Sequence, residues 1–124
     1  AYLRVEQVAE IGDIVRLQER VRTVHTDDAI GEYLVRIIHG TRTHPGVQIG
    51  ASPRASISLM TAARANALLD GRDYVIPDDI KHLAVPVLAH RMLLNTEARM
   101  NGLTTEEVVR EVVERTAVPV RLER

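Results

Sequence analysis

The chain has 124 residues, enough for one domain with an ordinary buried core, and no cysteine, which excludes disulfides and thiolate metal sites. Hydrophobic residues make up 45% and charged residues 27%, the balance of a soluble globular domain and not of a disordered chain. A net charge of −1 sets up no global field toward nucleic acid or anionic lipid, and no apolar run approaches the ~18 residues of a membrane span.

Aromatic residues are only 2%, with no Phe or Trp, so the core must come from Ile, Leu, Val, Ala and Met. An aliphatic, Ala-rich core suits closely packed helices. Lys81 is the only lysine. Arginine holds planar oxyanions in a rigid fork of donors, so this bias favours phosphate or carboxylate contacts, although a GC-rich genome produces the same bias.

Residues 1–10 read as a linker or partly ordered N-terminal segment, with Tyr2 to Ala9 extended; residues 11–124 read as one helical domain. The chain opens at Ala1 without a Met or a signal-peptide pattern and reads as a cytoplasmic piece of something longer. The first helix is predicted over 11–23, with Ile14, Leu17, Val21 and Val24 near helical spacing. Thr26 or Asp27 caps the second, whose stripe of Ile30, Tyr33, Leu34, Ile37 and Ile38 follows i, i+3, i+4, i+7, i+8. Gly40 and the His44-Pro45-Gly46 turn end it.

Residues 47–50 make a short connection into a third helix that begins at Pro53 and ends at a C′ glycine, Gly71. Residues 73–76 are extended, since the residue before a proline avoids the helical region. Pro77, Asp78 and Asp79 open a fourth helix with two carboxylates at its positive end. Its face is Ile80, Leu83, Ala84, Val87, Leu88 and Arg91, and Pro86 should kink it or split it into two short helices. Residues 93–102 are irregular or extended. Thr104 and Glu107 form a capping box for a last helix with Val108, Val109, Val112 and Val113 on one face, stopped by Val118-Pro119-Val120. The expected architecture is an all-α bundle of five to six helices, with too few strand signals for a sheet of any size.

One stretch carries a chemical signal, Gly50-Ala51-Ser52-Pro53-Arg54-Ala55. Ser52 is a good N-cap, and Pro53 sits at the first helical position, where its missing N–H costs nothing. Arg54 then falls in the first turn. A cation there is disfavoured by roughly 0.3–1 kcal/mol, because the helix N-terminus carries partial positive charge and suits an anion. The arginine therefore serves something outside its helix, and a phosphate is the natural partner.

Other candidates have plainer readings. Arg42 lies just past the second helix, where a cation complements the helix dipole; a role near a nucleotide or a subunit interface is the alternative. Arg72 and the pair His90-Arg91 sit at helix ends, where packing explains them. No two of His25, His39, His44, His82 and His90 have the i, i+4 spacing of a helical metal site. Asp27, Asp28, Asp78, Asp79, Glu106 and Glu107 belong at helix starts, and Ser52, Ser56 and Ser58 have no nucleophile context.

The stretch 50–55, with Thr41-Arg42 before it and Gly71-Arg72-Asp73-Tyr74-Val75-Ile76-Pro77-Asp78-Asp79 and His90-Arg91 after it, resembles the C-terminal lid of MoxR-type AAA+ ATPases from about Val21 to Val120. The resemblance implies that Arg54 is the sensor 2 residue, reaching ATP phosphates from the lid, with Ser52 and Pro53 positioning it. It also implies ATP and Mg²⁺ in an intact protein, an upstream AAA+ core, neighbouring subunits in a hexameric ring, von Willebrand A-domain partners and chaperone-like work. No GxxxxGK[ST] loop and no strand ending in paired acids occurs, so this chain alone cannot hydrolyse ATP. A near relation is the lid of a magnesium-chelatase-type ATPase; alternatives of other classes are a helix-turn-helix DNA-binding module reading a groove with Arg54, Arg64 and Arg72, and a plain protein-interaction bundle with no nucleotide role. The DNA reading lacks an excess of basic charge and a basic arm.

Overall fold

The computed structural model describes residues 5–120. The extended reading of Tyr2 to Ala9 therefore lies partly outside the described residues, as do the last four residues of the expected domain. Among the described residues there are six α-helices, one 3₁₀ turn and a two-stranded sheet. They run in the order α1 (Ile11–Thr23), α2 (Asp28–Thr43), β1 (Val47–Ile49), α3 (Pro53–Leu69), α4 (Pro77–Leu88), the 3₁₀ turn (Ala89–Arg91), β2 (Leu93–Leu94), α5 (Thr96–Met100) and α6 (Thr105–Arg115).

α4 sits at the centre, packed on α3, α6 and α2, while α2 also meets α3 and α6. One cluster of buried side chains fills the space between them. It holds the whole predicted stripe of α2, then Ala55, Leu59, Ala63 and Ala67 of α3, Ile80, Ala84 and Leu88 of α4, and Val108, Val109 and Val112 of α6. The alanines of α3 recur at every fourth or eighth position, so its neighbours approach closely. Valine is a poor helix former, and α6 holds because three of its valines are buried in that cluster.

Four of the helices, α2, α3, α5 and α6, are capped by a short polar side chain. Asp27, not Thr26, caps α2, accepting from the Ala29 N–H at 2.8 Å. Thr104 caps α6 by accepting from Glu107 N–H at 3.2 Å. α3 ends in a Schellman motif: Gly71 adopts φ +80°, its N–H donates to the Leu68 carbonyl (3.0 Å), and Arg72 N–H donates to Ala67 (2.9 Å).

Several expectations are corrected. Gly40 does not end α2, which continues to Thr43 before the His44 turn. A Cβ on Gly40 would stand 2.6 Å from Val112 Cγ1, so this glycine is where α6 crosses α2 closely. Pro86 does not divide α4; the helix runs through it to Leu88. Pro86 and His82, whose carbonyl loses its i+4 donor, are both exposed, so the missing bond falls on the solvent side of the helix. Residues 93–102 are not irregular throughout. They hold β2 and α5, capped by Asn95, whose side chain accepts from Ala98 N–H (2.9 Å) and donates to the Pro45 carbonyl (2.8 Å). α6 ends at Arg115, before Val118, because Thr116 turns extended. β1 and β2 pair antiparallel, Val47 with Leu94 and Ile49 with Leu93, which turns the connection before α3 into a strand. Of the α1 stripe only Val24 is buried; Ile14 is 50% and Leu17 47% exposed, because α3 is the helix that α1 mainly packs on.

Candidate functional site

The start of α3 is held by the end of α2. Thr41 is fully buried; its hydroxyl donates to the Ile38 carbonyl at 2.7 Å and accepts from the Ala51 N–H at 3.1 Å. A Cβ on Gly50 would lie 2.7–2.8 Å from the Cα and N of Arg42, so the chain passes directly over the α2 backbone there and only glycine fits. Ser52, extended at φ −85° and ψ 167°, then accepts from Ala55 N–H at 3.3 Å, and Pro53 opens the helix. Ala51, Ala55 and Leu59 are fully buried beneath this bend. The sequence reading singled out Thr41-Arg42 as a pair; it did not identify Thr41 as the strut between α2 and the α3 cap. A buried threonine one turn before a helix end is too common a pattern to have signalled it.

Arg54 projects from this fixed bend. It is exposed, and its side chain makes no hydrogen bond or ion pair among the described residues. The first turn of α3 carries no acid. The sequence itself has no Asp or Glu from Tyr33 to Leu69, nor from Ile80 to Thr96. Charge is therefore segregated within a nearly neutral chain, and the elements around Arg54 supply cations without carboxylates. Arg42 is exposed at the last turn of α2, its backbone under Gly50. Arg91, in the 3₁₀ turn, donates from Nη1 to Ser58 Oγ at 3.0 Å, one turn along α3 from Arg54.

The other arginines of α3 do not continue this surface. Arg64 is half-buried and donates from Nε to Thr26 Oγ1 (3.1 Å). Arg72 grips Asp79 with both terminal nitrogens (Nη1–Oδ2 2.8 Å, Nη2–Oδ1 2.7 Å) and also reaches the Tyr74 carbonyl and Asp70. A groove-tracking stripe of Arg54, Arg64 and Arg72 is thus not formed.

Asp79, expected as a dipole partner at the start of α4, is 1% exposed. Asn66 Nδ2 and the Ile76 N–H donate to it as well, both at 2.8 Å. Burial works against its charge, but the Arg72, Ile76 and Asn66 hydrogen bonds outweigh it and hold the carboxyl below its ordinary range. The bonds to Asp79 in turn raise Arg72 further above its ordinary value, against the opposing effect of burial. Between the α2–β1 turn and α6, His44 Nδ1 accepts from Gly46 N–H (2.9 Å) and Nε2 lies 3.0 Å from Glu111 Oε2. That bond lowers the Glu111 pKa. These clusters tie elements together and stand apart from Arg54. Among the described residues no group of three or more His, Asp or Glu is arranged to hold a metal ion, and no helix is long and apolar enough to cross a membrane.

Comparison with known proteins follows the same bend. A family model described as the AAA lid domain matches residues 39–112, from the end of α2 into α6. The chain is 51% identical over 117 residues to the uncharacterized protein YeaC of Bacillus subtilis (strain 168), covering 94% of this chain and 37% of that protein. It is 36% identical over 125 residues to chaperone MoxR1 of Mycobacterium tuberculosis, covering 94% of this chain and 33% of that one. Protein MoxR of Methylorubrum extorquens is 39% identical over 74 residues, covering 59% of this chain and 22% of that one. A crystal structure from Cytophaga hutchinsonii, described as an ATPase, superposes with a TM-score of 0.83 at 28% identity, over 87% of this chain and 36% of that one. The chain spans roughly a third of the length of the relatives it matches over most of its own length.

Proposed function

The chain belongs to the AAA lid domain family, as the C-terminal lid of a MoxR-type AAA+ ATPase, and on that premise we propose that Arg54 is its sensor 2 arginine. It reaches from the lid to the phosphates of ATP held by a core domain upstream. The observation that carries this is an exposed guanidinium without a partner among the described residues, at a helix start where the dipole disfavours it, in a stretch of sequence without carboxylates.

A charge-assisted hydrogen bond to a phosphate oxygen is worth about 1.5–3 kcal/mol, enough to bias a lid between two angles. Ser52 and Pro53 set the direction of the first turn, and Thr41 and Gly50 fix that turn to α2. A force on Arg54 is therefore passed to the α2–α3–α4 core, and the lid swings as a rigid body when the γ-phosphate is lost. Arg42 contributes a further cation toward the nucleotide or a neighbouring subunit.

The residues here fit a phosphate. They do not fit Mg²⁺, because α3, β1, β2 and the 3₁₀ turn bring no carboxylate; magnesium ligands and the phosphate loop belong to the core. Residues 1–10 serve as the linker from that core, with 11–124 as the lid. The intact protein is an ATP-hydrolysing, chaperone-like remodeller of the cytoplasm, working as a ring, hexameric in the family's usual pattern, with von Willebrand A-domain proteins as partners.

Arg54→Ala tests the assignment. In the full-length protein it should cut ATP turnover about tenfold or more. In the lid itself it should leave the melting temperature unchanged or slightly raised, since an unfavourable dipole contact is relieved. Unchanged turnover would remove the sensor role, and a large loss of stability would make Arg54 structural.

A further inference from the structure

The Arg54 surface holds a second cation with the same lack of a carboxylate. Arg91 lies in a turn whose flanks are anchored in the core: Leu88 is fully buried, and Ala89, Met92 and Leu94 are buried beside it. That anchoring brings an exposed arginine from the far end of α4 back onto α3, where its Nη1 donates to Ser58 Oγ. Ser58 is four residues after Arg54, so the two side chains share one helix face. Arg91 thus reaches, from a second element, the hydroxyl that lies one helical turn along from Arg54. Neither meets a carboxylate among the described residues, and no acid occurs in the segments that carry them. Two exposed cations on neighbouring turns of the α3 surface, with no carboxylate beside either among the described residues, suit an anion. The Ser58 contact uses one of the five N–H donors of Arg91 and leaves the others for an oxyanion.

We propose that Arg91 is a second phosphate-contacting residue, which with Arg54 forms a two-arginine clamp selective for nucleoside triphosphate over diphosphate. The clamp rests on the reading of Arg54 as the phosphate sensor. Ser58 is its positioning residue: it holds the Arg91 guanidinium over α3 before nucleotide arrives. Two forks from different elements can engage separate oxygens of a terminal phosphate, and that phosphate is the one the diphosphate lacks.

Nucleotide binding by the full-length protein separates the possibilities. Fluorescent ATPγS and ADP are titrated into wild type, Arg54→Ala, Arg91→Ala, Arg91→Lys and Ser58→Ala at equal subunit concentration, with assembly followed by light scattering. Arg91→Ala should weaken ATPγS about tenfold and ADP less than about threefold. Arg91→Lys keeps the charge without the fork and should recover only part of the loss. Ser58→Ala removes the anchor while keeping both cations, and should weaken ATPγS about threefold. Melting temperatures should not move. Wild-type binding by Arg91→Ala, an equal loss for both nucleotides, or a defect in assembly alone would overturn the clamp. If Arg54→Ala selectively loses ATPγS while Arg91→Ala does not, only the clamp falls; if neither loses it, the sensor reading falls too.

Discussion

The Asp79 carboxylate accepts from Arg72 at both oxygens, from Asn66 and from the Ile76 N–H, in a pocket closed to solvent. The Arg54 side chain, on the same helix as Asn66, donates to nothing among the described residues. The contrast assigns the two arginines. Arg72 neutralises a buried charge, whereas the Arg54 side chain has no partner among the described residues, which is why we propose it for the nucleotide. Asp79→Ala should therefore cost about 3–5 kcal/mol, because it strands a largely buried guanidinium, measured as a shift of the urea midpoint. The pH dependence has a definite sign. The Asp79 pKa is lower folded than unfolded, so its contribution is complete above the unfolded value near ~4 and is lost as pH falls through the folded one. Acid destabilisation beginning below about pH 5 should be shallower in Asp79→Asn than in wild type. The sequence showed Asp79 at a helix start, which is correct, and was silent on Arg72 as its partner. Seven residues and a turn separate them, and only the Schellman reversal at Gly71 folds one back onto the other.

At the scale of elements, α2 carries two glycines that look alike in sequence and differ in surroundings. A Cβ on Gly31 meets nothing within 4 Å, whereas one on Gly40 would collide with Val112 of α6. Gly31→Ala should stabilise by about 0.5–1 kcal/mol through helix propensity alone. Gly40→Ala should destabilise by about 1–3 kcal/mol despite the same propensity gain, since α2 and α6 must move apart. Thermal melts of both, and of Gly40→Ala combined with Val112→Ala, check the pair; the double variant should cost less than the sum of the singles. The apolar period and the caps made α2, α3, α4 and α6 legible, because those signals are local. α5 escaped notice: five residues are too few to show a period, and its Asn95 cap is fixed by a hydrogen bond to Pro45, fifty residues earlier.

For the molecule as a whole, the core is one cluster that draws on α2, α3, α4 and α6 but takes no residue from α1. α1 is amphipathic, yet its described neighbour is chiefly α3, and its apolar side chains stay largely in solvent. Its amides should exchange with solvent well before those of α3 and α4, in hydrogen exchange followed residue by residue; equal protection would mean that α1 belongs to the cooperative core.

What the sequence determined by itself was the class and the signal: an all-helical chain with an aliphatic core, and a Ser-Pro-Arg helix start that places a cation where a dipole opposes it. Spacing, capping and propensity act over a few residues, so they can be read along the chain. The tertiary structure alone decided which of the arginines has a partner. Arg72 is matched by Asp79, Arg64 by Thr26 and Arg91 by Ser58, while Arg54 is matched by none among the described residues. Pairing of that kind depends on distances between elements far apart in sequence, and those distances are set when Thr41, Gly50 and the buried alanines of α3 lock the helices together.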